Sequence, residues 1–385
     1  MELTILMPCL NEAETVATCV AKARDFLKRA GIHGEVLVAD NGSTDGSVGF
    51  ARDAGARVVK VTNKGYGSAL RGGLAAAQGR FVIMADADDS YDFLTLDEFV
   101  QSLRAGATLV IGNRFRGTLR PGSMPLLHRY LGNPILSFFG RLLFPTKIGD
   151  FHCGLRGVDR EAALNLRLRE SGMEFASEMI VKATLAGWRI AEVPTVLSAA
   201  GRSRPPHLRS WRDGWRHLRF LLMMSPRWLM LYPGICLILI GAIAELAILR
   251  GPIVIRGIGF DIHTMLYAAG VTILGIQLTL FSLLARSIGV VKKLLPMTSH
   301  LAFFLRLFTL ERGIFLGLLI GGFGLGLAIF SVRYWVHAQL VALDPVSVMR
   351  VVIPSVTLMI SGAEIVFASF LLAFIDAPVE CADNS

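Results

Sequence analysis

Short apolar runs alternate with helical patterns through roughly the first 200 residues. Five of these runs have the length and composition of strands: Leu3–Met7, Val36–Ala39, Val58–Val61, Phe81–Ala85 and Leu109–Ile111. Amphipathic helical patterns lie between them, at about residues 12–29, 44–54, 67–78 and 92–104. This alternation predicts an α/β domain with a mostly parallel sheet, covered by helices and binding its ligand beyond the carboxyl ends of the strands.

The pattern changes near residue 228. Four apolar stretches of membrane-spanning length follow, near 228–249, 262–285, 313–335 and 351–375. The loop between the second and third stretches carries most of the basic residues: Arg286, Lys292, Lys293, Arg306 and Arg312. Because basic loops stay on the cytosolic side, we predict a multi-pass protein of the cytoplasmic membrane, with the N-terminal domain and the C-terminus both cytosolic.

Two segments before the first span are amphipathic or apolar, but each is too short to cross a bilayer. Between residues 208 and 222, apolar side chains and arginines recur together at helical intervals: Leu208, Trp211, Trp215, Leu218 and Leu222, followed by Arg209, Arg212, Arg216 and Arg219. This pattern predicts a helix at the membrane surface. The stretch Pro134–Phe144 either lies in the same interface, which we favour, or fills the core.

Composition narrows the class of protein. Hydrophobic residues make up 53% of the chain and charged residues only 18%, which favours a membrane protein over a soluble or disordered one. The net charge of +9 accompanies apolar spans, so we expect it to face anionic lipid and expect no nucleic-acid partner. The five cysteines form no CxxC pair, which argues against a disulfide framework or a zinc site.

Polar residues follow three of the predicted strands. Asn11 and Glu12 come after the first, Asp40 after the second, and Asp86 and Asp88 after the fourth. Two carboxylates one residue apart on an extended segment repel each other unless a hard cation lies between them. We therefore predict bound Mg²⁺ or Mn²⁺, with substrate phosphates completing its shell. The glycine-rich stretch that begins at Lys64 predicts close helix packing, with its lysine near those phosphates.

Several segments together resemble one enzyme family. They are PCLNE, VADNGSTDGS, NKGYGSALRGGL, FVIMADADDS, IGNRF, DFHCGLRG and MEFASEMIVKATLAGWRIAEVP. Taken in order, from about residue 3 to about residue 227, they resemble GT-A family 2 glycosyltransferases of the dolichol-phosphate mannose synthase and polyprenyl-phosphate glycosyltransferase branch. The resemblance implies a Rossmann-like GT-A sheet, mixed but mostly parallel, followed by interfacial amphipathic helices and four transmembrane helices. We expect domains at 1–200, 201–227 and 228–375, and a short tail at 376–385.

The resemblance also implies roles for individual residues. On the donor side, the nucleotide, its diphosphate and the metal would contact Pro8, Asn11, Glu12, Asp40, Lys64, Asp86, Asp88, Arg202 and Arg204. Ser90 stands where related synthases carry a glutamine metal ligand, which puts a third protein ligand in doubt. Arg114 and Arg129 would hold the acceptor phosphate and, with Asp88, are the expected catalytic residues. Glu174 and Glu178 would lie near the sugar.

The implied reaction is inverting transfer of a hexose from UDP-glucose or GDP-mannose to undecaprenyl or dolichyl phosphate, for a glycan such as that of the cell wall. The partners would be the donor, the lipid acceptor and the bilayer, and a homo-oligomer is compatible with the sequence. Two other interpretations stay open. One is a non-catalytic transporter or flippase, for which the spans offer Glu245, Gln277 and Glu364. The other is a processive polysaccharide synthase, although Met224 replaces the glutamine of its usual Q-x-x-R-W motif.

Overall fold

The computed structural model describes residues 1–203, 210–337 and 344–376, so Arg204, Leu208, Arg209 and residues 377–385 of the predicted tail lie outside the described residues. The chain divides into two compact units, Met1–Met224 and Ser225–Ser385. The first holds the predicted α/β domain together with the amphipathic segment that follows it. The second holds the predicted spans.

The first unit alternates strands and helices along the chain. The strands are β1 (Leu3–Cys9), β2 (Gly34–Asp40), β3 (Arg57–Lys60), β4 (Phe81–Met84), β5 (Leu109–Asn113), β6 (Arg156–Asp159) and β7 (Ile190–Pro194). The helices are α1 (Val16–Arg29), α2 (Ser47–Asp53), α3 (Tyr66–Ala76), α4 (Asp97–Arg104), α5 (Asn133–Leu143), α6 (Arg160–Asn165), α7 (Phe175–Leu185) and α8 (Ser210–Met223). A π-helical turn, His128–Gly132, directly precedes α5.

All seven strands form one sheet in the order β3-β2-β1-β4-β6-β5-β7. Only β6 runs antiparallel to its neighbours, β4 and β5. The prediction of a mixed, mostly parallel sheet is therefore confirmed. Every residue of β1 and of β4 is buried, as expected for central strands covered by helices on both faces.

The strand order determines where a ligand can enter. From β1 the chain first builds β2 and β3 on one side, and then returns to place β4 on the other side of β1. In open α/β sheets this reversal opens a crevice outside the carboxyl ends of the two strands involved. The segments that follow Cys9 and Met84 therefore flank the crevice.

Two helices of the first unit expose apolar side chains. On α5, Ile135, Phe138 and Leu142 are exposed, whereas Ser137 and Gly140 are buried. On α8, Trp211 and Trp215 are exposed, whereas Asp213, His217 and Phe220 on the opposite side are buried. These exposed faces agree with the interfacial placement that the sequence predicts for both helices.

The second unit is helical. It contains a π-helical turn, Arg227–Leu231, and the elements α9 (Tyr232–Ile248), β8 (Ile253–Ile255), β9 (Ile258–Phe260), α10 (Ile262–Val291), α11 (Ser299–Leu307), α12 (Leu310–His337) and α13 (Pro345–Asp376). Four segments are long and apolar enough to cross a membrane: Arg227–Ile248, Ile262–Val291, Leu310–His337 and Pro345–Ile375. They match the four predicted spans, so this unit makes the chain a multi-pass membrane protein.

Two hydrogen-bonded pairs of polar side chains join the spans. Thr272 donates to Glu245 at 3.0 Å (Oγ1 to Oε1), and Gln277 donates to Glu364 at 2.7 Å (Nε2 to Oε1). These pairs join α9 to α10 and α10 to α13. They have the structural role expected of hydrogen-bonded polar groups between transmembrane helices.

Candidate active site

A cavity of about 600 Å³ opens at the crevice beside the carboxyl ends of β1 and β4. Its walls include five of the residues predicted for the donor side and one predicted for the acceptor: Pro8, Glu12, Lys64, Asp86, Asp88 and Arg114. Arg202, which follows β7 by several residues, completes the set. Side chains separated by up to about 190 residues therefore converge where the sheet topology places a ligand site.

Asp86 and Asp88 follow β4 and form the acidic part of the cavity. Burial and the neighbouring charge of Asp88 raise the pKa of Asp86 to about 7, against the opposing effect of a hydrogen bond from Tyr66. Asp88 is buried, and its Oδ1 accepts hydrogen bonds from the backbone nitrogen of Ser90 at 3.1 Å and from the Ser90 hydroxyl at 2.6 Å. Ser90 therefore holds the orientation of Asp88.

Arg202 joins the two loops that follow β1 and β4. Its Nη1 lies 2.6 Å from Glu12 Oε1, and its Nη2 lies 3.1 Å from Asp88 Oδ2. The side chains of these three residues are largely buried. The guanidinium thus compensates two carboxylates in the wall of the cavity, in the region that a cationic ligand would occupy.

The acidic pair fits a divalent cation held mainly by its substrate. Asp86 and Asp88 supply two hard oxygen donors, and the pKa of Asp86 is raised by its burial and by the neighbouring charge of Asp88, a repulsion that a cation would relieve. Within the described residues, no group of three His, Cys, Asp or Glu side chains converges as a metal site. A cation bound here would need oxygens from the diphosphate and from water, which is common for Mg²⁺.

Asn11 and Asp40 support the wall of the cavity without being among the residues that line it. Asp40 accepts hydrogen bonds from the backbone of Gly42 at 3.1 Å and of Ser43 at 3.0 Å, which closes the turn after β2. Asn11 has a left-handed backbone (φ 59°), and its side chain accepts from the backbone of Thr44 at 2.8 Å. The direct nucleotide contacts expected for these two residues remain predictions.

The glycine-rich segment brings α3 close to its neighbours. Lys64 Nζ donates to the carbonyl of Asn41 at 2.9 Å, and Asn41 itself lines the cavity. At Gly65, where φ is 122°, a β-carbon would collide with the carbonyl of Ser171. The glycine pattern therefore permits close backbone packing at the rim of the cavity, as the sequence predicts.

Arg114 is buried in the wall of the cavity rather than solvated. Its Nε and Nη2 donate to the two carboxylate oxygens of Asp150 at 2.7 and 2.8 Å. Burial alone would lower the pKa of Arg114, but Tyr91 and Asp150 outweigh this effect and raise it, so the guanidinium stays charged. Bidentate pairing also fixes the plane of the fork.

Arg129 is exposed and lies in the π-helical turn before α5. Its guanidinium stacks over the ring of Tyr130, 5.3 Å from the ring centroid, and Arg129 is not among the residues that line the cavity. The structure therefore does not bring it together with Arg114 in that cavity.

Glu174 and Glu178 are buried near the start of α7 and are likewise absent from the cavity lining. Glu178 is paired with Lys182 at 2.8 Å and accepts hydrogen bonds from the backbone of Arg169 and Glu170. This network gives Glu178 a structural role in capping the loop before α7. The expected sugar contact of these glutamates has no support in the geometry.

The structure adds residues that sequence reasoning did not assign. His152 and Arg156, both within DFHCGLRG, line the cavity together with Tyr66 and Tyr91. Arg156 is buried and donates to three backbone carbonyls, those of Cys153, Phe151 and Ala176. The motif itself marked the region, but only the fold reveals that these two side chains reach the cavity.

Helix α8 also contributes to the cavity wall. Its arginines Arg212 and Arg216, predicted only for the membrane surface, line the cavity and lie 3.5 and 3.9 Å from the carboxylate of Asp213. His217 hydrogen-bonds to Ser177 at 2.8 Å and packs edge-on against His152, with ring centroids 4.5 Å apart. The helix therefore has an apolar exposed side and a basic side that faces the site.

Comparison with known proteins identifies the family. Residues 4–167 match glycosyl transferase family 2, and residues 283–376 match the glycosyltransferase family 2 C-terminal transmembrane region. The low-salt glycan biosynthesis hexosyltransferase Agl6 of Haloferax volcanii is 35% identical over 373 residues, which cover 96% of this chain and 88% of the relative. A dolichyl-phosphate hexose transferase of the same organism is 28% identical over 193 residues, covering 50% of this chain and 81% of the relative.

Among solved structures, glucosyl-3-phosphoglycerate synthase from Mycobacterium tuberculosis, crystallised with Mg²⁺ and UDP, is similar with a TM-score of 0.46 and 23% identity. The match covers 58% of this chain and 77% of that one. The near full-length relative, the two matching family regions, the mixed sheet and the four spans lead to one conclusion. The chain belongs to glycosyltransferase family 2, and is a membrane glycosyltransferase with a GT-A-type domain followed by four transmembrane helices.

Proposed function

We propose that this protein transfers a hexose from a nucleotide-sugar to a polyprenyl phosphate, with inversion, at the cytosolic face of the cytoplasmic membrane. The observation that carries the proposal is the cavity itself, which combines an acidic pair, Asp86 and Asp88, with the buried cation Arg114. The acidic pair suits a metal-bound diphosphate, and the guanidinium of Arg114 suits a phosphate monoester. The names of the relatives, a hexosyltransferase and a dolichyl-phosphate hexose transferase, support the same reaction.

The donor would occupy the crevice between the loops after β1 and β4. Asp86 and Asp88 would hold Mg²⁺ or Mn²⁺, which supplies charge neutralisation for the leaving nucleoside diphosphate. Pro8, Glu12 and Lys64 form the adjoining wall. Arg202 pairs with Glu12 and Asp88 in the structure, so its guanidinium lies beside the acidic pair, where it would also contact the donor diphosphate.

The acceptor requires positioning more than activation. A phosphate monoester has a second pKa of about 6, so at neutral pH it is already largely an anionic nucleophile and needs no strong general base. Arg114 keeps donors available beyond the Nε and one Nη2 bond that it gives to Asp150, since a guanidinium has five N–H groups. Its charge in the cavity wall would hold the phosphate in line with the sugar carbon.

The lipid chain needs an apolar path to the site. The exposed apolar faces of α5 and α8 supply one, because both helices belong to the unit that contains the cavity. Arg212 and Arg216 of α8 line the cavity, whereas Trp211 and Trp215 of the same helix are exposed. An interfacial α8 would therefore hold a prenyl phosphate with its chain in the membrane and its phosphate near the basic wall.

The two alternative functions fit these observations less well. A transporter with a degenerate domain has no use for the acidic pair, and the acidic residues of the spans pair with Thr272 and Gln277 of a neighbouring helix. A processive synthase would retain the Q-x-x-R-W segment before the first span, where this chain has Met224 in place of glutamine. A processive synthase would also release a polymer, and a transporter would form no glycosylated lipid.

A donor panel tests the proposal. The full chain in detergent is given undecaprenyl phosphate and one labelled UDP- or GDP-sugar at a time, with Mg²⁺ or Mn²⁺ and a matched EDTA sample. We expect one donor to give metal-dependent label in the organic phase, which names the sugar and the nucleotide together. If no donor labels the lipid although the protein binds nucleotide, the acceptor assignment is wrong.

A further inference from the structure

Two arginines of the membrane unit converge on one hydroxyl group. Arg227 begins the first span, and Arg286 lies in the last turns of α10. Arg227 Nη2 donates to Thr298 Oγ1 at 3.1 Å, and Arg286 Nη2 donates to the same oxygen at 2.9 Å. The backbone nitrogen of Leu301 also points to this oxygen, at 3.4 Å, where Thr298 caps α11. Three donors thus share one acceptor that has two lone pairs.

The charges of the two arginines are not compensated within the described residues. Neither arginine forms an ion pair with a carboxylate there, and each makes only the one hydrogen bond to Thr298. Their terminal nitrogens are at most about 6 Å apart, a distance at which like charges repel appreciably when screened from water. Arg286 is 8% exposed, so solvent does not relieve this repulsion. An anion between the two forks would satisfy both.

Snorkelling does not explain this arrangement. Arginines near the ends of spans commonly extend toward water or headgroups and stay accessible. Arg286 instead turns inward, toward the start of the first span, and the same region is fixed by a hydrogen bond from the buried Ser282 to the carbonyl of Pro226 at 3.1 Å. The basic pair is therefore built into the packing of the span ends.

We propose that Arg227, Arg286 and Thr298 form a binding site for the phosphate group of a membrane lipid. The forks of two arginines match phosphate oxygens, and the hydroxyl adds one further polar contact. The position at the ends of two spans, where lipid headgroups lie, favours a lipid over a soluble anion, because Arg227 begins one span and Arg286 lies five residues from the end of another. The anion is either the phosphodiester of an anionic phospholipid or the phosphomonoester of a prenyl lipid. The three residues belong to the second unit, and the proposal does not rest on the proposed reaction.

Lipid binding to the full chain tests the site. Native mass spectrometry in a neutral detergent would measure the Kd of phosphatidylglycerol and of dodecyl phosphate, with diacylglycerol as the phosphate-free control and inorganic phosphate as a competitor. We expect Arg227→Gln and Arg286→Gln each to raise the Kd of at least one anionic lipid about tenfold or more. Whichever lipid responds identifies the source of the phosphate. Inorganic phosphate at equal concentration should not displace it.

Matched variants distinguish binding at a specific site from a general effect of positive charge. The control variant, Arg312→Gln, removes a basic residue of the same predicted cytosolic region. The side chain of Arg312 is exposed and donates to the carbonyl of Leu307, so this variant should leave both Kd values unchanged. Because Arg286 is buried and its variant can fail to fold, Arg227→Lys provides a second test, keeping the charge without the fork and giving an intermediate Kd. Equal Kd values for wild type and the Arg227 variants, or an equal loss in Arg312→Gln, would overturn the proposal.

Discussion

The guanidinium of Arg202 lies 3.1 Å from the carboxylate of Asp88, a residue of the acidic pair. The same guanidinium is 2.6 Å from Glu12, so one cation spans the two loops that flank the crevice. In this arrangement the protein itself supplies the positive charge that a donor-bound metal would otherwise provide. Donor binding and the position of Arg202 should therefore be linked.

This linkage predicts a role for Arg202 in donor affinity. Replacing it with glutamine removes the charge that is positioned to meet the diphosphate, and we expect the Kd of the nucleotide-sugar with Mn²⁺ to rise about tenfold, as for the loss of one charge-assisted hydrogen bond. Titration calorimetry in detergent measures the change. Arg29→Gln, which removes an exposed ion pair with Asp97, is the control. An unchanged Kd in Arg202→Gln would contradict the assignment.

Arg114 is expected to act on the acceptor. Arg114→Lys keeps the charge but loses the bidentate fork to Asp150, so we expect the KM for polyprenyl phosphate to rise about tenfold while the KM for the donor stays nearly constant. Steady-state transfer with each substrate varied in turn separates the two constants. Arg116→Lys, on an exposed side chain 3.7 Å from Glu192, serves as the comparison. Parallel changes in both constants would indicate a structural role only.

His217 makes the stability of the first unit depend on pH. Burial lowers its pKa from 6.5 to about 4, against the opposing charge of Glu174 and with a smaller contribution from Arg156. The folded state therefore favours neutral histidine, and this stabilisation is complete above pH 6.5 and is lost as the pH falls toward 4. We expect His217 to lower the free energy of unfolding by about 2 kcal/mol when the pH falls from 7 to 5. Thermal unfolding of His217→Gln should show a correspondingly weaker dependence on pH than wild type, whereas the exposed His33→Gln should match wild type.

Gly154 packs directly against the acidic pair. A β-carbon at this position would lie 2.9 Å from Asp86 Oδ2 and 3.2 Å from the ring of Tyr91, so one of these side chains must move in Gly154→Ala. We expect kcat/KM to fall at least about tenfold, because small displacements of a catalytic group are costly. Gly49→Ala, in a helix where a β-carbon meets no neighbour, is the matched control. Full activity of Gly154→Ala would show that the position of Asp86 is not critical.

The first five strands could be predicted because each contains a short apolar run between helical patterns. The strands β6 and β7 could not, for a physical reason. Their sequences, RGVD and IAEVP, are short and carry charged residues, and they join the sheet through pairing with strands distant in the chain. Such pairing depends on tertiary context that local periodicity does not contain.

The residues of the candidate site likewise include some that the sequence predicts and some that it does not. The carboxylates of Asp86 and Asp88 could be predicted because they directly follow a strand. Asn11 and Asp40 lie at the ends of strands too, yet their side chains accept backbone hydrogen bonds in turns, and sequence does not distinguish a turn-forming side chain from a ligand-binding one. His152 reaches the cavity only through the folding of its loop, and no local pattern indicates that contact.

The most direct test of the account compares Asp88→Asn with wild type in metal-dependent transfer to undecaprenyl phosphate, using the donor that the panel identifies. Asp92→Asn, four residues further along the same loop and bonded to the backbone of Leu94, is the control for expression and insertion. We expect Asp88→Asn to reduce label in the organic phase at least about a thousandfold while its thermal unfolding and that of the control stay close to wild type. Wild-type transfer by Asp88→Asn, or full activity of the native chain in saturating EDTA, would contradict the central claim that the acidic pair and its metal carry the reaction.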